Sequence, residues 1–482
     1  MVIKTLAVAW QGSELLDCFK DDAYRALLDS SLYHEIHGRY SLFCSNPHTI
    51  IKTCGQSCSM YKNGKWTTFE QDSPLAFIES ELSKFVVHNT TGLPFIGGAV
   101  GYFSYEFGQQ LEGLLQIAKG DHETPDSHFC LYDGAIVVDR YQNQTHIVAA
   151  GLVEDPDAFV QRRMERLKSY QPRAVTLEST TPYPAIIMSN MSAADYIQKT
   201  DILKKYIESG DVYQMNLAQR FEICFTGKAD ALYRRLSTIN PAPYAALIEY
   251  TNGTLLSSSP ECFLKKEGDR LTTRPIKGTR PRSGDPEQDP IEIDSLLNSA
   301  KERAELLMIV DLERNDLGRI CKSGSVRVAD LYTVESYATV HHLVAEVSGE
   351  LLDGVGLEAI LRATFPGGSI TGAPKIRAMQ LIHELEPDPR GVFSGSIGYI
   401  GYDQNLQFNI AIRTLCHEQD RLRLHTGAGI VWDSDPRAEY EETLQKAKAF
   451  FTALEFPDSI DLIKPHIVTP QLEPIHNESC SQ

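Results

Sequence analysis

Pro275-Ile276-Lys277-Gly278-Thr279-Arg280-Pro281-Arg282 is the stretch from which the rest of the chain is read. The proline two residues before the lysine removes a backbone donor, and the glycine after it admits conformations closed to other residues, so neither a continuing helix nor an unbroken strand suits the segment. The expectation is a lysine aimed by a turn. A strand from Asp269 to Thr273 precedes it and an exposed polar loop from Ser283 to Pro290 follows. Taken alone, the pattern describes a solvated lysine as well as a functional one.

Outward from Lys277, Thr254 to Lys265 reads as a strand paired with Asp269 to Thr273, the two bracketing Ser259-Pro260-Glu261. Downstream, Pro290 to Leu317 reads as one long helical region on which Lys301, Glu302 and Glu305 share a face through their three- and four-residue spacings. A surface ion pair accounts for that face as readily as a ligand set does. Phe365 to Lys375 is a glycine-rich turn opening a helix at Pro374. Its free amides, with Lys375 and Arg377 nearby, predict an anion site whose guest is a carboxylate. It lacks the Gly-Lys-Ser/Thr of a P-loop. Phe393 to Gly401, Leu406 to Cys416 and Arg421 to Val431 predict an antiparallel meander, with Arg413 on the less apolar face of the middle strand. Asp435-Pro436 starts a last helix whose Glu439, Glu442 and Lys446 form one polar stripe.

Ser192 and Asp195 make a capping box, and the helix they start runs to Gly210. The strand after it, Val212 to Phe225, alternates an apolar face through Tyr213, Met215 and Leu217 with a polar face through Gln214, Asn216 and Arg220. The polar face looks into a cavity or into solvent. The first 180 residues alternate short strands and turns, including a hairpin around Tyr141 to Gln144 and an amphipathic helix from Asp155 to Ser169. Thr176 to Pro184 is the linker candidate.

The 482 residues are 42% apolar and 23% charged, with a formal charge of -18. That is a globular composition. The charge argues against nucleic acid and anionic membrane surfaces, which need a basic patch. No apolar stretch approaches the roughly 20 residues that span a bilayer, and the first residues lack a signal-peptide pattern, so a cytoplasmic location is the default. Ten cysteines are scattered as in a reducing compartment. None lies in a Gly-x-Cys-x-Gly nucleophile turn, so no glutaminase is visible.

Carboxylates on two helices, without histidine or cysteine company, suit a hard cation such as Mg²⁺. Together with the turn-mounted lysine, the acid at Glu261 and the arginine at 413, they describe a site for a small dianion. At this point the sequence resembles the chorismate-utilising enzymes. The resemblance rests on Gly210-Asp211-Val212-Tyr213-Gln214-Met215-Asn216-Leu217-Ala218-Gln219-Arg220, Ser259-Pro260-Glu261, Pro275-Ile276-Lys277-Gly278-Thr279, Lys301-Glu302-Arg303-Ala304-Glu305, Pro366 to Lys375, Gly427-Ala428-Gly429-Ile430-Val431 and Glu439-Tyr440-Glu441-Glu442-Thr443. It covers residues 185 to 455 strongly and the first half more weakly, through Phe95 to Gly101.

The resemblance implies an α+β fold, two β-sheets packed in the middle with helices outside, comprising an N-terminal part (1–180), a chorismate-binding part (185–455) and a C-terminal tail (457–482). It implies Glu305 and Glu442 as Mg²⁺ ligands, with Glu302 and Glu439 beside them, and Glu261 as general acid near the departing hydroxyl. Arg413, Lys446, Gly427, Ala428 and Gly429 match groups around the substrate carboxylates, and His342, Ser369 and Thr279 match polar groups near the ring. Relatives often carry tyrosine where this chain has Phe393. Water-adding members place a lysine base where this chain has Gln214, and anthranilate-forming members usually have alanine in place of Lys277. The pair Gln214 and Lys277 resembles the branch that aminates chorismate at C4, in which the lysine attacks C2 before ammonia displaces it. Ammonia is then expected from a separate glutamine amidotransferase subunit or from solution. The resemblance also implies a tryptophan pocket, sought at Leu28, Asp29 and Ser30. The anthranilate-forming branch and a non-catalytic chorismate or amino-acid sensor are the competing readings.

Overall fold

Two 12-stranded sheets form the centre of the molecule, and each draws strands from both halves of the chain. The computed structural model describes residues 1–35, 37–114, 124–171, 187–337 and 340–455. The expected linker at 176–184 and the tail from 457 lie outside these residues. In the first sheet Ala26–Asp29 pairs with Tyr244–Tyr250, and in the second Gly98–Phe103 pairs with Ser396–Gly401. All of the strand pairings are antiparallel, with helices on the outer faces, as expected of an α+β fold.

Apolar alternation explains the layering. Ile248, Leu255, Val100, Ile397 and Ala411, from strands of both sheets and the link between them, meet in one buried cluster. The opposite face of the first sheet supplies Met215, Leu217, Phe221, Leu424 and Ile430 to a cluster shared with the helices Ala193–Glu208, Lys375–Leu385 and Pro436–Ala453. The second sheet packs Leu343, Val347 and Phe408 against the helices Ala300–Gly318 and Leu357–Thr364. No helix among the described residues is long and apolar enough to cross a membrane.

The expected Thr254–Lys265 strand is two strands in different sheets. Gly253–Ser259 belongs to the first sheet and Cys262–Glu267 to the second, and the chain passes between them at Pro260-Glu261. Proline cannot donate to a sheet ladder, so the strand breaks there. The expected meander splits likewise: Leu406–Asn409 stays in the second sheet, Thr414–Glu418 lies in the first, and Ile410 to Arg413 cross over. Arg413 has φ +51°, the left-handed region, so it is not on a strand face. The two crossings brace one another. Ile410 N donates to Glu261 O at 3.0 Å, Ser258 N to Arg413 O at 2.9 Å and Ser259 Oγ to Ile410 O at 2.6 Å.

Lys277 also departs from expectation. It lies on a short strand, Ile276–Pro281, which continues the line of Arg270–Arg274 along one edge of Val340–Glu350. Gly278, with φ +82°, makes a bulge: Lys277 faces Leu343 while Thr279 faces the adjacent His342. Glycine thus re-aims the lysine inside a sheet where a turn was expected. The long helical region is two helices, Gln288–Leu297 and Ala300–Gly318, the second capped by Ser299.

Candidate active site

Pairing in the first sheet opens the cavity. Arg421–Ile430 pairs with Gln214–Cys224 over its whole length, but with Thr414–Glu418 only as far as Leu424, because that strand has just arrived from the other sheet. Residues beyond Leu424 keep one free edge, and there Gly427 O accepts from Lys446 Nζ at 2.8 Å. Gly427 and Gly429 form part of the wall of a cavity of about 710 Å³, which Asn216 and Ala218 line from the neighbouring strand. The glycines are needed for space. A Cβ on Gly429 would stand 2.8 Å from Gln214 Nε2 and 3.5 Å from Lys277 Nζ, and one on Gly427 2.9 Å from Leu217 O.

Lys277 reaches into this cavity from the second sheet, and its Nζ donates to Ser369 O at 3.3 Å. Burial pushes its ammonium down from the usual lysine range. Lys446 acts in the same direction, while Glu305, Glu261 and Glu442 oppose. Glu261, on the sheet crossing, is 4% exposed, and burial pushes its carboxyl up to about 6 against the Ser369 hydroxyl, Lys277 and Arg413. The acid and the amine thus have pKa values moved toward each other, a pattern that clusters at functional sites. His342, within 3.0 Å of Thr279 Oγ1 through Nδ1, is pushed down to about 3 by burial and by Arg413 and is a neutral imidazole.

Two helices give the cavity an acidic wall. Glu302 and Glu305 project from Ala300–Gly318, and Glu439 and Glu442 from Pro436–Ala453. Burial raises Glu305, helped by Glu302 and Glu439. Burial also raises Glu439, which accepts from Ser434 Oγ at 2.6 Å. Burial works the same way on Glu442, but Lys446, 2.7 Å away, with Lys277 and Lys301, holds it below its ordinary value. Lys301 stands 3.9 Å from Glu305 and 4.0 Å from Glu439, so the expected ion pair is present and faces the cavity. Among the described residues no three acidic, histidine or cysteine side chains converge as metal ligands. The donor set still fits a hard divalent cation: every donor is a carboxylate oxygen, and a cation would offset the burial and the added repulsion from Glu302 and Glu439 that raise Glu305.

A family model described as chorismate binding enzyme matches residues 31–452. The chain belongs to the chorismate-binding enzymes. It is 39% identical over 431 residues to aminodeoxychorismate synthase component 1 of Klebsiella aerogenes, covering 89% of this chain and 93% of that protein. It is 37% identical to anthranilate synthase component 1 of Aquifex aeolicus, covering 90% of each. The crystal structure of anthranilate synthase component I from Streptococcus pneumoniae superposes with a TM-score of 0.75 at 32% identity, over 87% of this chain and 93% of that one. Two branches of the family stand almost equally near, so overall similarity does not choose between them.

Most of the residues expected of a chorismate-binding site meet in this one cavity: Lys277, Glu261, Glu302, Glu305, Glu439, Glu442, Arg413, Lys446, Gly427, Gly429, His342, Ser369 and Thr279. Ala428 does not. Strand alternation turns it away from its two glycine neighbours into the core of the helix side. Gln214 is fully buried just behind the wall, next to Gly429, with neither amide atom hydrogen-bonded. Tyr213, expected in the core, is 68% exposed beyond the strand end. The expected anion site at Pro374 is not part of the cavity. Lys375 Nζ donates to Asp316 Oδ2 at 2.6 Å and Arg377 Nε to Asp211 at 3.0 Å, so acids of the chain itself hold both cations.

Of the two arginines flanking Lys277 in sequence, Arg280 pairs with Glu302 at 3.4 Å, while Arg274 pairs with Glu335 and with Glu346. Asn240, His425, Thr426 and Gln445 also line the cavity and carried no functional signal in the sequence. The alternation His425-x-Gly427-x-Gly429 was the available clue for His425. Phe393 stacks on His425 with centroids 5.3 Å apart. Leu28, Asp29 and Ser30 border a second cavity of about 500 Å³ with His37, Arg39, Tyr244, Lys265 and Glu267.

Proposed function

We propose that this chain is the synthase subunit that converts chorismate and ammonia to 4-amino-4-deoxychorismate and water. The observation that carries the reading is the amine of Lys277 in the cavity wall, with its pKa lowered by burial, in a cavity it shares with the raised acid Glu261. Anthranilate-forming relatives resemble this chain nearly as well, but the resemblance associates alanine with that position and that branch.

In the proposed reaction the neutral Lys277 amine bonds to C2 of the ring, the two ring double bonds each move one place, and the C4–O bond breaks. Glu261 gives its proton to the departing hydroxyl, which leaves as water, and the carboxylate regains a proton from the newly quaternised lysine nitrogen. Ammonia then forms the C4–N bond, the double bonds return, and the C2–N bond breaks with its electron pair passing to Lys277. A proton from the new ammonium completes the lysine amine. Arg413 and Lys446 orient the substrate carboxylates, and His342, being neutral, offers a hydrogen bond without a competing charge.

Glu305 and Glu442, supported by Glu302 and Glu439, would hold Mg²⁺, which supplies charge neutralisation for a substrate carboxylate facing an acidic wall. The relatives' name, component 1, implies a second component, and a glutamine amidotransferase subunit supplying ammonia fits this reading. The second cavity, with charges of both signs at Asp29, Arg39, Lys265 and Glu267 on its border, is the candidate pocket for tryptophan.

Incubation of the protein with chorismate, Mg²⁺ and ammonium, with the product identified by mass, tests the reading. Aminodeoxychorismate is expected, and a chorismate-derived adduct on Lys277 that Lys277→Ala lacks. Anthranilate, or unchanged chorismate with folded protein, overturns it.

A further inference from the structure

We propose that Asn216 holds the incoming ammonia beside Lys277; this rests on the amination reading above and adds a residue to which neither the sequence motifs nor the comparisons assign a role. Asn216 sits on the Gln214–Cys224 strand directly opposite Gly429 and lines the cavity. Its Nδ2 donates to Ser369 O at 2.9 Å, and Lys277 Nζ donates to the same oxygen at 3.3 Å. The Asn216 amide and the lysine amine therefore stand side by side on one carbonyl.

That shared acceptor fixes which way the amide points. With Nδ2 committed to Ser369 O, a flipped amide would set two acceptors against each other, so Oδ1 is the atom left to face the cavity. The backbone is pinned as well: Asn216 N donates to Thr371 O at 2.9 Å, and Asn216 O accepts from Arg390 Nη2 at 2.8 Å. Ser369 O already serves two donors, one for each lone pair. Asn216 Oδ1 is then a fixed neutral acceptor next to the lysine.

Ammonia needs such a partner. Its N–H groups must be held while its lone pair stays free to attack carbon. A carboxylate in that place would favour ammonium, whose lone pair carries a proton, whereas an amide oxygen accepts an N–H bond without taking the proton. Glu305 and Glu261 are the acids that act most on Lys277, from the helix Ala300–Gly318 and from the sheet crossing. On the Ser369 carbonyl that holds the lysine, the chain offers an amide.

The test is steady-state kinetics on the purified full chain with ammonium as nitrogen source, comparing Asn216→Ala with Asn216→Asp, which keeps an acceptor oxygen but loses the donor to Ser369. For Asn216→Ala the KM for ammonium is expected to rise about tenfold, the share of one hydrogen bond. The KM for chorismate and the yield of Lys277 adduct formed without ammonium should stay within about twofold. Asn216→Asp, whose carboxylate would hold the nitrogen as ammonium, should raise the ammonium KM at least as much, and it carries the test if Asn216→Ala does not fold. An unchanged ammonium KM in a folded Asn216→Ala or Asn216→Asp protein, or a rise confined to chorismate, overturns the proposal. Absence of any ammonium-dependent product from the native protein would count against the amination reading itself.

Discussion

Gly427 and Gly429 stand two residues apart on the same face of one strand, yet alanine at each should fail differently. At Gly429 the new methyl would lie 2.8 Å from Gln214 Nε2 and 3.5 Å from Lys277 Nζ. Both are side-chain ends, and neither Gln214 amide atom has a hydrogen bond to lose. Gln214 can withdraw by roughly half an ångström to reach ordinary contact. The stability cost should be about 1 kcal/mol, the low end for overpacking. At 3.5 Å the methyl is in ordinary contact with the lysine amine but fills cavity space beside it, and a substrate ring held back by it should lower kcat by roughly ten- to a hundredfold. At Gly427 the methyl would meet Leu217 O at 2.9 Å and Ala218 Cβ at 3.1 Å, in the middle of a paired strand. Backbone cannot step aside, so strands must shift, at about 3 kcal/mol. Thermal unfolding and ammonium-dependent turnover, measured side by side, read the two effects. Gly429→Ala should remain near native stability with impaired turnover, and Gly427→Ala should melt clearly earlier. A fully active Gly429→Ala protein, or one that unfolds before Gly427→Ala does, refutes this account of the glycine wall.

Three further outcomes are expected. The reaction needs Glu261 protonated and Lys277 neutral; Glu261 is pushed up to about 6 and burial lowers Lys277 from its ordinary range, so kcat/KM for chorismate should show a rising acid limb, a falling alkaline limb and one of its two breaks near 6. The two breaks belong to the acid and the amine, and a pH profile without a break near 6 contradicts this. Chelation by EDTA should abolish turnover and Mg²⁺ should restore it, whereas activity persisting in EDTA removes the cation from the scheme. Arg390, 2% exposed, donates to Ile370 O, Asn216 O, Ser394 Oγ and Glu386. Arg390→Met should lower stability by about 3–5 kcal/mol in denaturant unfolding, since it removes one partner of a buried ion pair.

Local chemistry was legible in the sequence wherever neighbours along the chain decide the structure. The Ser192–Asp195 capping box, the amphipathic helix ending at Ser169, the Asp435 start before proline and the hairpin at Tyr141 to Gln144 are present as read. The stripes Lys301-Glu302-Glu305 and Glu439-Glu442-Lys446 face one cavity, because helical periodicity fixes a shared face without any tertiary information. Periodicity cannot say what a face looks at, which is why a solvated ion pair and a ligand set were both open.

The sequence alone determined the residue types, their order and the local geometry around Lys277: a glycine that must adopt positive φ and a proline that interrupts pairing. Only the tertiary structure decided that this geometry is a bulge in a sheet. Only it could reveal that apparently continuous strands at Pro260 and Ile410 change sheets. A crossing depends on which distant strand offers the next ladder of hydrogen bonds, and the crossing residues carry no periodic signal of their own. The same limit misassigned Lys375 and Arg377, whose partners Asp316 and Asp211 are distant in sequence. Charge along a chain shows that a cation must be balanced; the fold selects the acid that balances it, and so which cations remain for a substrate.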